Sequence, residues 1–275
     1  MVPDPEPADP ARTDAAPLDR SLDSAPKPAS TVMLLREGTA AGNRSGVEVF
    51  VLHRVAGMAF APSVTVFPGG GVDGGDSEPV AWSGPNRAWW AGALGVPSPD
   101  RAAALVVAAV RELFEETGVL LADRGVASSL REAVADHRLS LARMLTDQRL
   151  SLRSELLRPW ANWITPEGNP RRYDTFFFVA ALPAGQQARL LTTEAESGRW
   201  ARPADLLAEH EAGRLAMMPP TLAMLLDLQR AGSVQWAMSQ QRKVTALVPA
   251  VLSRPGEPLQ VEVGGRIYAL RRQGP

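Results

Sequence analysis

The chain has no cysteine in its 275 residues, which removes disulfides, thiolate metal sites and a cysteine nucleophile together. Lysine is nearly missing too, standing only at positions 27 and 243, so arginine supplies the rest of the positive charge. That bias points to a GC-rich bacterial genome and says nothing about chemistry. Neither sign of charge prevails: 29 basic and 30 acidic residues leave a formal net charge of −1. No global field favours nucleic acid or an anionic surface, and neither partner is expected. No stretch approaches the roughly 18 consecutive apolar residues of a spanning helix, so no membrane is expected either. The three histidines, His53, His137 and His210, sit at unrelated spacings, and none is assigned a role. What is present is ordinary: 45% apolar and 21% charged residues suit a globular protein, and any metal must be held by carboxylates, histidines or backbone oxygens.

Residues 1–30 are rich in Pro, Ala, Asp and Ser without the apolar stretch of a secretory signal, and read as a disordered tail. Thr31 to Leu35 and Val47 to His53 are β-branched, apolar runs around a Gly, Asn and Ser cluster, predicting two antiparallel strands. A short strand at Val64 to Phe67 stops at Pro68 and three glycines, a composition that allows close backbone approach. Residues 77–102 look like an insertion carrying a short helix around Ala88 to Leu94, open to two readings, a lid or a homodimer contact. Asp100 is the expected N-cap of a helix over Arg101 to Thr117 that Gly118 ends. Residues 128–157 are helical by period, as two helices, and Arg172 to Leu182 reads as a buried strand. Trp200 closes another strand, helices follow at Pro203 to Ala212 and Pro220 to Arg230, and a hairpin turns at Gly264-Gly265. Residues 31–275 therefore form one domain.

The most informative stretch is Arg111-Glu112-Leu113-Phe114-Glu115-Glu116-Thr117-Gly118-Val119. On a helix Glu112 lies three positions before Glu115 and four before Glu116, so three carboxylates share one edge. They repel unless a cation joins them. Hard divalent ions with oxygen ligands, Mg2+ or Mn2+, meet that need and bind substrate phosphates, which points to phosphate-ester or diphosphate chemistry.

This run resembles REUxEExGU, the second half of the Nudix box Gx5Ex7REUxEExGU, with U a bulky aliphatic residue. Phe67-Pro68-Gly69-Gly70 resembles its lead-in. Gly70 and Arg111 stand 41 positions apart, about 27 more than in the usual box. Counting forward from Gly70 the outer glutamate slot falls on Asp76, and counting back from Arg111 it falls on Ala103. An insertion there resembles the acyl-CoA diphosphatase branch, typified by a mammalian peroxisomal enzyme. So do Phe60-Ala61-Pro62, Trp160 to Pro166, Arg171 to Phe178, and Glu194, Glu196, Trp200 and Pro203 in an ETxExxW-like arrangement. Of the CoA signature upstream of FPGG, Arg54 fits the first arginine, whereas Ala59 and Ser63 replace the second arginine and the glycine.

The resemblance implies an α/β fold, an α/β/α sandwich with a mixed sheet, and a diphosphate attacked by a metal-activated water. It implies Glu112, Glu115, Glu116 and the Gly69 carbonyl as ligands of Mg2+ or Mn2+. Arg111 orients the glutamates, and Asp76 stands where the family's glutamate braces that arginine. Arg54, Phe67 and Gly70 are the substrate-binding candidates. The general base is either Glu112 or a later-loop glutamate, Glu194 or Glu196, with Glu196 preferred. The leading substrate is a CoA-type nucleoside diphosphate, CoA or acyl-CoA, cleaved to (acyl-)phosphopantetheine and 3′,5′-ADP. The alternatives are ADP-ribose, NADH or a nucleotide sugar, and a catalytically silent nucleotide-binding module. Trp160 and Trp163 are read as packing residues, and the absence of a peroxisomal tripeptide at the end of the chain suits a cytoplasmic expectation.

Overall fold

The computed structural model describes residues 25–38, 46–57, 63–169, 171–253 and 260–269. Residues 1–24 of the expected tail, and Ala59 and Phe60-Ala61-Pro62, lie outside them. The strands are β1 (Lys27–Glu37), β2 (Val47–Arg54), β3 (Thr65–Val66), β4 (Gly69–Gly71), β5 (Trp82–Ser83), β6 (Leu152–Arg153), β7 (Leu157–Ile164), β8 (Tyr173–Ala181), β9 (Ala195–Ala201), β10 (Ala246–Leu247), β11 (Ala250–Val251), β12 (Gln260–Val263) and β13 (Arg266–Ala269). The helices are α1 (Arg87–Leu94), α2 (Pro99–Thr117), α3 (Ser128–Ala135), α4 (Leu141–Asp147), α5 (Pro203–Glu211), α6 (Pro219–Leu228) and α7 (Val234–Ser239).

Eight strands make one mixed sheet in the order β10-β7-β8-β1-β2-β3, with β4 also on β1 and β9 on β2. β1 runs parallel to β8 and antiparallel to β2. The period-2 alternation of the strands divides the core between its two faces. Val32, Leu34, Phe50, Leu52, Phe176 and Phe178 meet α1, α2 and α4 on one side. Met33, Leu35, Val49, Val51, Phe177 and Val179 meet α5 and α6 on the other. The result is the expected α/β/α sandwich. Among the described residues no single helix is long and apolar enough to cross a membrane.

Several boundaries differ from the sequence reading. β1 starts at Lys27, inside the expected tail, because residues 27–30 pair in register with Tyr173 to Phe176 of β8. Helix α2 is capped by Ser98, whose hydroxyl accepts from the Asp100 and Arg101 N–H groups, with Pro99 as the first helical residue; Asp100 lies in the first turn. Residues 128–157 do hold two helices, but at Leu152–Arg153 the chain is extended and pairs with Trp82–Ser83, and after a 3-10 turn at Ser154–Leu156 β7 opens at Leu157. Its tertiary pairing outweighs the helical period. α7 had no expected counterpart. The hairpin at Gly264-Gly265 joins β12 to β13 as expected, and β11 extends it to three strands.

The insertion does not hang over anything. Trp90 of α1 is fully buried beside Phe178, with ring centroids 6.0 Å apart, and Val244 N–H donates to the Ala93 carbonyl. None of residues 77–102 lines the large cavity described below, and Trp90, Ala91, Leu94 and Ala102 of this segment belong to the core.

Candidate active site

Helix α2 owes its position to its own apolar content. Ala102 to Val110 are buried all round, and the Ser30 hydroxyl donates to the Leu105 carbonyl at 2.7 Å, fixing the helix against β1. Its last two turns carry Arg111, Glu112, Glu115 and Glu116. β4 is paired with β1 at Gly71–Ala29, Gly70–Ser30 and Gly69–Thr31, which sets the glycines against those turns. A Cβ on Gly70 would stand 2.5 Å from Glu112 Oε1, and one on Gly69 2.5 Å from the Ser30 carbonyl oxygen. Only glycine allows both approaches.

Arg111 is the hub. It is buried and donates through Nε and Nη2 to both Asp76 carboxylate oxygens at 2.8 and 2.9 Å, and through Nη2 to the Gly71 carbonyl at 2.7 Å. Nη1 donates to Glu112 at 2.8 Å and to Glu115 at 3.3 Å. Asp76 thus takes the position of the outer box carboxylate, counted forward from Gly70, while Ala103 is a buried apolar residue. Asp73 accepts from the Asp76 N–H at 3.2 Å and its own N–H donates back at 2.9 Å, a reciprocal cap that holds Asp76 in place. Glu116 accepts from the Gly69 N–H at 2.9 Å.

One guanidinium does not neutralise four carboxylates. Burial pushes Glu112 up to about 7, with Arg111 opposing and Glu115 adding to the rise. Burial and the Glu112 charge push Glu116 well above the ordinary range, and burial raises Glu115 and Asp76. Burial acts to lower the Arg111 pKa, yet its Asp76 hydrogen bonds and the surrounding carboxylates raise it. The donor set is hard oxygen with surplus negative charge, and it fits a divalent cation. As the side chains stand, no three such ligands among the described residues converge on one point, because Arg111 and the Gly69 N–H hold them apart.

This cluster forms one wall of a cavity of about 1270 Å3. Arg54, Phe67, Gly69 and Gly70 line it with Glu112, Glu115 and Glu116. Arg54 donates to Glu194 at 3.3 Å while its buried Nε has no partner, one of four such donors among the described residues. Glu194 lines the cavity and Glu196 does not. The cause is a β-bulge: His53 pairs with Ser197 and Arg54 with Ala195, which leaves Glu196 as the extra residue. Its side chain is 60% exposed, 3.5 Å from His53 Nε2, on a different surface from the carboxylate cluster. Sequence reasoning missed Arg131, which lines the cavity and donates to the Glu115 carbonyl at 2.8 Å, and His137 in the same wall. A helical period over residues 128–135 carried no signal that Arg131 would turn toward α2.

The family described as the NUDT19 Nudix domain matches residues 91–230, half of the sequence. The chain belongs to the Nudix hydrolase superfamily. A crystal structure of a Nudix hydrolase from Alicyclobacillus acidocaldarius superposes on the Nudix domain with a TM-score of 0.66 at 26% identity, covering 80% of this chain and 99% of that one. Putative nudix hydrolase 7 of Caenorhabditis elegans is 31% identical over 188 residues, 66% of this chain and 56% of that protein. Acyl-coenzyme A diphosphatase NUDT19 of Xenopus laevis is 27% identical over 223 residues, 65% of this chain and 58% of that protein. The Nudix chain therefore spans somewhat over half the length of these curated relatives.

Proposed function

We propose that this protein is a Nudix diphosphohydrolase that cleaves the diphosphate of CoA or acyl-CoA, adding water to give 3′,5′-ADP and (acyl-)phosphopantetheine. The observation that carries the hydrolytic part is the cluster of Glu112, Glu115 and Glu116 around Arg111, set against the glycine strand β4 in the wall of the cavity. The CoA part is supported by likeness to the family and to the Xenopus laevis acyl-coenzyme A diphosphatase.

Glu112, Glu115 and Glu116, with the Gly69 carbonyl, would hold Mg2+ or Mn2+. Bound there, the cation neutralises the diphosphate and lowers the pKa of water. Arg111, clamped by Asp76, keeps the glutamates oriented through charge-assisted hydrogen bonds. Arg54, which lines the cavity, offers its guanidinium charge to the diphosphate. Phe67 and Gly70 shape the wall beside it. Glu194, beside Arg54 in the cavity, is the later-loop carboxylate we assign to take a proton from the attacking water in preference to Glu196, with Glu112 the alternative base. The small nucleoside-diphosphate substrate is the partner we assign, and a cytoplasmic setting is part of this reading.

The test is product analysis by mass spectrometry with CoA, acyl-CoA, dephospho-CoA, ADP-ribose and NADH, with Mg2+ or Mn2+ and again with EDTA. Metal-dependent 3′,5′-ADP from the CoA compounds is expected. AMP from ADP-ribose or NADH alone would replace the substrate, and no product from any compound would leave a binding module.

A further inference from the structure

The cavity is larger than the roughly 300–1,000 Å3 of ordinary small-molecule sites, at about 1270 Å3, and its chemistry changes from one end to the other. The carboxylates, Arg54 and the glycine strand are at one end. Toward the other, Trp163, Val251 and Val261 line it beside the polar Thr165, Glu167, Asn169 and Arg171, with Phe177 between the two. The sheet sets the distance between the two. Gly71 pairs with Ala29, Ala29 with Thr175, and Thr175 with Trp163, so the glycine strand and the tryptophan lie three strand spacings apart in one row. Three spacings amount to about 14 Å. β10 then continues the row at Leu247, opposite Trp163.

The apolar end is built by the segment that follows the α-helical layer. Tyr268 of β13 packs edge-on against Trp163 at 5.9 Å, which anchors the three-stranded sheet over the end of β7. Val251 of β11, a cavity-lining residue, is left 47% exposed, and its neighbour Leu252 is also open. Val251 is thus an apolar lining residue that the fold leaves open to the cavity, beside the buried Val261 and Trp163.

We propose that this end takes the fatty-acyl chain of a long-chain acyl-CoA, and that β11 and β12 set the chain-length preference. The inference rests on the reading under Proposed function. The phosphopantetheine arm between the diphosphate and the sulfur is roughly four residue-lengths of extended chain, about 14 Å, the same reach as the strand row. The diphosphate at the carboxylates therefore places the thioester beside Trp163, and the acyl chain against Val251 and Val261.

The test compares kcat/KM for palmitoyl-CoA and acetyl-CoA in the full chain, in Val251→Asp and in Val251→Met. The wild type is expected to favour palmitoyl-CoA. In Val251→Asp the palmitoyl-to-acetyl ratio is expected to fall at least about tenfold, because a carboxylate cannot be buried against an acyl chain, and in Val251→Met it is expected to persist. An equal ratio in all three proteins, or a wild type indifferent to chain length, overturns the subsite while leaving CoA hydrolysis in place. If no CoA compound is cleaved, the functional reading falls on its own, and binding of a fluorescent polyene fatty acid decides the subsite. Binding lost in Val251→Asp and kept in Val251→Met supports it, and binding alike in both, or absent from the wild type, overturns it.

Discussion

Glu112 is a carboxyl that folding makes harder to ionise, and this has a measurable sign. Burial raises it from 4.5 to about 7, so between those values the folded metal-free chain keeps a proton that the unfolded chain releases. The folded state then binds more protons, and stability falls as pH rises through that window. The Tm of the EDTA-treated protein is expected to drop between about pH 5 and 8, and Glu112→Gln should flatten that slope; a wild-type Tm that rises over this range would contradict it. The two later glutamates give a second residue-scale prediction. Glu194→Gln is expected to lower kcat by about 10²-fold or more, whereas Glu196→Gln stays within a few-fold; steady-state kinetics on CoA check both, and the reverse order would return the base to Glu196. This difference could not be read from the sequence. Glu194 and Glu196 are two apart and alternate onto one face of a regular strand, and only the bulge opposite His53 and Arg54 separates them. Arg111, Glu112, Glu115 and Glu116 were legible because a helix fixes their spacing locally.

At the scale of elements the site is a helix end pressed onto a three-residue strand, and the first two glycines of that strand differ in what they face. A Cβ on Gly70 meets the movable end of Glu112, while one on Gly69 meets the Ser30 carbonyl and the Thr31 Cα at 2.7 Å. Gly70→Ala is expected to fold with near-wild-type Tm but bind Mn2+ more weakly, by roughly 10–100-fold, since Glu112 must turn aside. Gly69→Ala is expected to lower Tm by forcing β4 from β1, and calorimetry with metal titration separates the two. The strands and α2 were legible from alternation, glycine punctuation and helix period. What was hidden depended on pairing across the chain: β1 reaching back to Lys27, the strand at Leu152, and the extra sheet formed with β11. The insertion was visible as a change of composition, but its tryptophan-rich helix could be placed in the core only once Phe178 was seen beside Trp90.

For the whole molecule, the proposed metal ligands couple folding stability to ion binding. A ligand at a hundred times its Kd adds about 2.7 kcal/mol to folding stability. Saturating Mg2+ or Mn2+ at pH 7.5 is therefore expected to raise Tm by several degrees above the EDTA value, and Glu116→Gln should lose most of that increment and abolish turnover. A metal-independent Tm, or turnover preserved in Glu116→Gln, would count against the ligand assignment. The α/β/α layering itself needs no ion, since both faces of the sheet are covered by apolar residues.

Three of the bonds that join the site across elements are distant in the chain: Arg111 to Asp76 spans 35 residues, Gly69 to Glu116 spans 47, and Arg54 to Glu194 spans 140. Contacts of such separation close late on a folding path, after helices and neighbouring strands have formed. On the proposed function, catalytic competence is therefore expected only after these contacts have closed. On dilution from denaturant, hydrolysis should return with a lag behind the far-ultraviolet circular dichroism signal, so the enzyme times its own assembly.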